Sequence, residues 1–168
     1  MIPSILIFFA TLMRLLPHPA NFTPMGATAL FGGVHLQKRY ALIIPMMALI
    51  LSDMFIGFDS LESRLAVYVS FLLIGLLGLW VRKHQSFGTI AGAAIAGPII
   101  FFLITNFVFL YPPTLYPHTI EGMLQSYHNA LPFLRNMMIG DLVYTGLLFG
   151  TYELAQYLSK KKPKTVTA

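Results

Sequence analysis

Six polar residues stand within or at the edges of long apolar runs, where their chemistry is out of place: Arg14, Asp53, Asn106, Arg135, Asn136 and Asp141. An ionisable side chain at the centre of a membrane helix costs on the order of 2.5–3.5 kcal/mol on insertion scales, so it normally faces a bundle interior and has a partner. Guanidiniums, carboxylates and carboxamides gathered at one depth make a hydrogen-bonding pocket that captures a solute. Tyr68, Thr105 and Tyr144 are available as further walls. The same residues serve as structural glue if Arg14 or Arg135 does no more than pair with Asp53 or Asp141. Arg135 and Asp141 do not share a helical face, so partners on other helices are expected.

Catalytic readings find little support in the same residues. Two intramembrane aspartates invite comparison with aspartyl proteases, but Met138 occupies the position where a Gly-x-Gly-Asp motif wants glycine. No Gly-x-Ser-x-Gly elbow, His-Glu-x-x-His pair or phosphate-cradling glycine loop occurs. Cysteine is absent, which removes disulfides, thiolate metal sites and cysteine nucleophiles. His18, between Pro17 and Pro19, His35, His118 and His128 show no spacing that argues for a metal site. The chain is therefore expected to be no enzyme and to need no cofactor or metal, with an intramembrane hydrolase ranked last.

The elements that carry these residues follow from composition. With 57% hydrophobic and 10% charged residues in 168, the chain lies far from the mix of soluble domains. The apolar runs lack the two-residue alternation of barrel strands, so an all-α membrane bundle is expected, as one domain. Spans are predicted over about 2–16, 24–36, 40–57, 65–81, 87–110 and 133–158. Pro17 and Pro19 end the first, and Pro24 starts the short second, which is either packed inside the bundle or meets a thinned bilayer. Gly97-Pro98 kinks the fifth. An outer connection over 111–132 contains a segment near Thr119 to Ala130 that suits a helix lying on the membrane surface.

The net charge of +5 gives topology rather than nucleic-acid binding. Lys38, Arg39, Arg82, Lys83 and the C-terminal lysines fall in alternate loops, while Asp59, Glu62 and Glu121 fall in the others. Both ends are then cytoplasmic, and the six polar residues lie in the external halves of their spans. Arg64 is explained by snorkelling to the interface. Gly26, Ala29, Gly32 and Gly33 allow close helix approach, either as internal packing or, through Gly26, Ala29 and Gly33, as a docking face for another membrane subunit.

The string from Arg14 through His18 and Asn21 to Pro24, then Ala29-Leu30-Phe31-Gly32-Gly33, Leu51-Ser52-Asp53, Thr105-Asn106-Phe107, Tyr116-Pro117-x-Thr119 and Pro132-Phe133-x-x-Asn136-x-x-x-Gly140-Asp141-Leu142 resembles an uncharacterised family of bacterial membrane proteins assigned to transport (DUF6580-like). That family in turn is similar to the substrate-binding S components of energy-coupling factor transporters. The likeness implies a six-helix protein of the bacterial inner membrane that takes up a vitamin-like organic micronutrient, cobalamin among the candidates, from an external pocket. It also implies a coupling subunit with ATPases as a partner, besides the solute and the lipid bilayer. The nickel and cobalt branch is disfavoured, because the chain begins Met1-Ile2-Pro3 without the adjacent histidine of those components. The site expected on these grounds is Arg14, His18, Asn21, Asp53, Tyr68, Asn106, Arg135, Asn136 and Asp141.

Overall fold

A computed structural model describes residues 2–57 and 60–161. Asp59 of the acidic loop and Lys162, Pro163 and Lys164 of the basic tail lie outside the described residues. The described residues form six α-helices and no strand: α1 (Ile2–Met13), α2 (Met25–His35), α3 (Ile43–Ile56), α4 (Leu61–Val81), α5 (Phe87–Thr105) and α6 (Ile120–Lys161), with a single 3-10 turn at Val108–Leu110. Two of them, α4 and α5, are long and apolar enough to cross a membrane, and α1 and α3 are shorter apolar helices.

Local signals set most boundaries. Helix α4 begins at Leu61, earlier than the predicted 65, because Ser60 caps it: the Ser60 Oγ accepts a hydrogen bond from the Ser63 N–H at 3.2 Å. That earlier start brings Arg64 into the first turns of the helix. Ser86 and Thr89 form a reciprocal capping box at the start of α5. Helix α5 stops at Thr105 instead of reaching 110, since Asn106 is its C-cap and Phe107 is extended.

The predicted surface helix near 119–130 and the span over 133–158 are one continuous helix of 42 residues, about 63 Å long. Pro132 lies inside it and forfeits one backbone hydrogen bond. Tertiary contacts hold the segment before the proline in helical register. The Ser126 hydroxyl donates to the Asn106 carbonyl at 2.9 Å, the Tyr127 hydroxyl donates to the Leu103 carbonyl at 2.8 Å, and Ala130 is buried.

Helix α2 is the axis of the bundle. Every residue from Met25 to Val34 is buried, and the helix touches all five others. Its small residues permit this. A Cβ on Gly33 would sit 2.7 Å from the Gly78 Cα, and one on Gly26 would collide with the Asp141 carboxylate. Gly26, Ala29 and Gly33, the expected docking face, are buried within the chain and packed against α4 and α6. Around the far end of α2, the rings of Phe31, Phe149 and Tyr152 pack edge to face, and His35 sits against all three.

A buried helix has no water to satisfy its terminal N–H and C=O groups. Pro24, the N-cap of α2, offers no side-chain acceptor, and the Asp141 carboxylate of α6 accepts from the Ala27 N–H at 3.1 Å instead. At the other end the Arg82 guanidinium donates to the Val34 carbonyl at 2.8 Å and to the Leu36 carbonyl. The cation at the C-terminus also has the sign that the helix dipole favours.

Candidate functional site

Where α1 joins α2 and α3 joins α4, the chain borders an open cavity of about 340 Å³. Its polar wall comprises Arg14, Asn21, Thr23, Gly57 and Arg64, and Val67, Phe71, Phe101 and Met137 are prominent on its apolar wall. Each arginine reaches it from a different element. Arg14 follows the end of α1, which gives way to turns before Pro17, and Arg64 stands one turn into α4.

Asp53, fully buried on α3, holds both of them. Its Oδ1 lies 2.7 Å from the Arg14 Nη2, and its Oδ2 lies 2.9 Å from the Arg64 Nη1. Arg14 also donates through Nη1 to the Leu49 carbonyl at 3.3 Å and to the Ser52 hydroxyl. Arg64 donates through Nη2 to the Gly57 carbonyl at 3.1 Å. Gly57 ends α3 with φ of 105°, a conformation that glycine adopts without a Cβ penalty, and this turns its carbonyl toward α4. The Tyr68 hydroxyl is buried beside Asp53.

A second cavity of about 540 Å³ adjoins the first and shares Asn21, Phe101 and Met137 with it. Thr105, Asn106 and Tyr111 line its far side. Asn21 has φ of 59°, in the left-handed region that asparagine tolerates better than most residues, which sets the α1–α2 loop between the two cavities. The Asn136 amide anchors that loop by donating to the Ala20 carbonyl at 3.0 Å.

The structure therefore divides the nine expected site residues. Arg14 and Asn21 face the first cavity, Asn106 the second, and Asp53 and Tyr68 stand behind the arginines. Asn136 supports the loop from outside. His18 is exposed, with its ring nitrogens 2.9 Å from the Pro19 carbonyl and 3.1 Å from the Arg14 carbonyl. Arg135 is exposed on α6 and lines neither cavity. Asp141 also lines neither, because its carboxylate is committed to the buried end of α2.

Arg64 is the principal residue that the sequence reading missed. A helix starting at 65 leaves Arg64 outside its first turn, where snorkelling accounts for it. The pair Ser60 and Ser63 is a capping signal that moves the start back and leaves Arg64 one turn before Tyr68.

Fold and site together define an all-α bundle around a buried short helix, with an arginine-lined cavity at one end. The family model described as "Family of unknown function (DUF6580)" matches residues 1–164, and the chain belongs to that family. No curated protein and no solved structure matches the chain.

Proposed function

We propose that the chain is a multi-pass protein of the bacterial inner membrane that binds a small organic micronutrient from outside and moves it inward, alone or with a coupling subunit and its ATPases. The observation that carries this reading is the cavity of about 340 Å³ with Arg14 and Arg64 on its wall. Membrane residence is supported by α4 and α5 and by large apolar side chains exposed on most helices, among them Phe8, Phe55, Leu61 and Phe87. Such a surface is poorly suited to water and well suited to lipid. The basic residues Lys38, Arg39 and Lys83 follow α2 and α4 at the end opposite the cavity, and under the positive-inside rule this charge distribution supports an external cavity. Similarity to energy-coupling factor S components belongs to this proposal and rests on sequence resemblance. The cavity volume is at the low end of the range for drug-sized ligands, which favours a compact vitamin over a corrin such as cobalamin.

A second reading, a structural or assembly subunit, is favoured by two observations: Asp53 is fully paired and Asp141 is spent as a helix cap. A thermal-shift screen of the detergent-purified protein against a vitamin and micronutrient panel separates the two. A ligand at 100 times its dissociation constant adds about 2.7 kcal/mol of stability. A hit lost in Arg14→Ala supports uptake, and no hit across the panel supports the structural subunit.

A further inference from the structure

Among the described residues, the charged side chains on the wall of the first cavity are guanidiniums, and Asp53, which pairs with both, does not line it. Asp53 has a side-chain exposure of 0%, whereas Arg14 and Arg64 keep 12% and 11%. Both arginines line the cavity and Asp53 does not. Among the described residues no aspartate or glutamate lines it. The guanidiniums are also fixed in place. Arg14 is held by Asp53, Leu49 and Ser52, and Arg64 by Asp53 and Gly57, so little side-chain entropy remains to be lost on binding. Their surroundings include Met25, Ile56, Phe71 and Met137, and an apolar wall of this kind strengthens the attraction of a fixed cation for an anion. Guanidinium is the side-chain group best matched to carboxylate and phosphate oxygens.

The adjoining cavity differs in character. Beyond the shared waist of Asn21, Phe101 and Met137, its side chains are uncharged, with the Thr105 hydroxyl, the Asn106 amide and the Tyr111 hydroxyl as polar groups. The two cavities together present a cationic end and a neutral polar end separated by a neck of Asn21, Phe101 and Met137.

We infer that the solute is a small organic acid whose carboxylate or phosphate sits against Arg14 and Arg64 while its neutral body passes Phe101 and Met137 toward Thr105 and Asn106. The inference rests on the uptake reading and names the chemical class that the site takes. The same anion chemistry is carried by the headgroup of an acidic lipid, so the test separates the two sources.

Detergent-purified protein is titrated with acids and their neutral counterparts of nearly equal shape: nicotinate with nicotinamide, benzoate with benzamide, and phenyl phosphate with its dimethyl ester, followed by every acid of the micronutrient panel with its amide or ester. The expected result is that at least one acid binds about tenfold or more tighter than its neutral partner. Arg14→Lys and Arg64→Lys, which keep the charge but lose the fork, are expected to reduce that preference in protein that remains folded by circular dichroism. Equal binding of acid and neutral partner, or hits confined to neutral compounds, overturns the inference and leaves the uptake reading standing. Absence of any hit, acid or neutral, removes both. Acid binding is repeated in nanodiscs of phosphatidylcholine alone and of equal parts phosphatidylcholine and phosphatidylglycerol. Equal affinity in both supports a free solute; competition by phosphatidylglycerol that disappears in Arg64→Lys assigns the anion to a lipid headgroup and overturns the inference.

Discussion

The Oδ1 of Asp141 accepts a hydrogen bond from the Ala27 N–H at 3.1 Å, joining α6 to the N-terminus of α2 across 114 residues of sequence. Because Ala27 and Asp141 are both buried, the N–H has no ready route to solvent when the acceptor is removed. Asp141→Ala is therefore expected to lower stability by about 1–3 kcal/mol, while Asp141→Asn, which keeps an acceptor, costs less. Thermal unfolding in detergent measures both. Equal stability of Asp141→Ala and the native chain would remove the capping role.

The Arg14–Asp53–Arg64 network makes an opposite pair of predictions. Asp53→Asn leaves two guanidiniums without their shared counter-charge and is expected to cost about 3–5 kcal/mol. Replacing all three residues with apolar ones of similar volume, as in Arg14→Met, Asp53→Leu and Arg64→Met together, is expected to recover most of that loss. The recovered protein should bind no solute. Solute binding by the triple variant would relegate the network to a purely structural role.

Gly33 and Gly78 set how closely α2 approaches α4. Gly33→Ala places a methyl group against the backbone of Gly75 and Gly78, which cannot yield as a flexible side chain would. Overpacking of this kind costs typically 1–3 kcal/mol. By contrast, a Cβ on Gly92 or Gly146 meets nothing within 4 Å, so alanine at either position is expected to leave the unfolding temperature within error or slightly raised.

The membrane topology is open to direct labelling because the chain has no cysteine of its own. In intact cells, Ser60→Cys and Thr114→Cys are expected to react with an impermeant maleimide. Gln37→Cys and Gln85→Cys should react only after permeabilisation. All four positions are exposed loop residues, and the reverse pattern would place the arginine-lined cavity on the cytoplasmic side.

Ser126 and Tyr127 tether the first turns of α6 to the end of α5. Ser126→Ala with Tyr127→Phe removes two hydrogen bonds, each worth about 1 kcal/mol. Hydrogen exchange over 120–131 is expected to quicken while the rest of α6 stays protected. Unchanged exchange there would mean that helix propensity, and not the tether, carries the segment past Pro132.

Sequence alone determined the local features of this protein. Unalternating apolar runs led to helices, Pro17 and Pro19 closed the first run, the short second run was recognised as a candidate for burial, and the six misplaced polar residues were all singled out. Each of these signals is carried by neighbours along the chain, through helical periodicity and capping. Tertiary structure decided which partner each polar residue finds. Asp53 and Asp141 look alike in sequence, yet one anchors two arginines behind a cavity and the other caps a buried helix. Arg82 has the sequence signature of a topology signal, and the fold also makes its guanidinium the donor to the last carbonyls of α2. Nor could sequence tell whether the small residues of α2 face a partner or the interior. Those outcomes depend on contacts between segments far apart in the chain and on whether water reaches them, and neither is encoded in the local pattern.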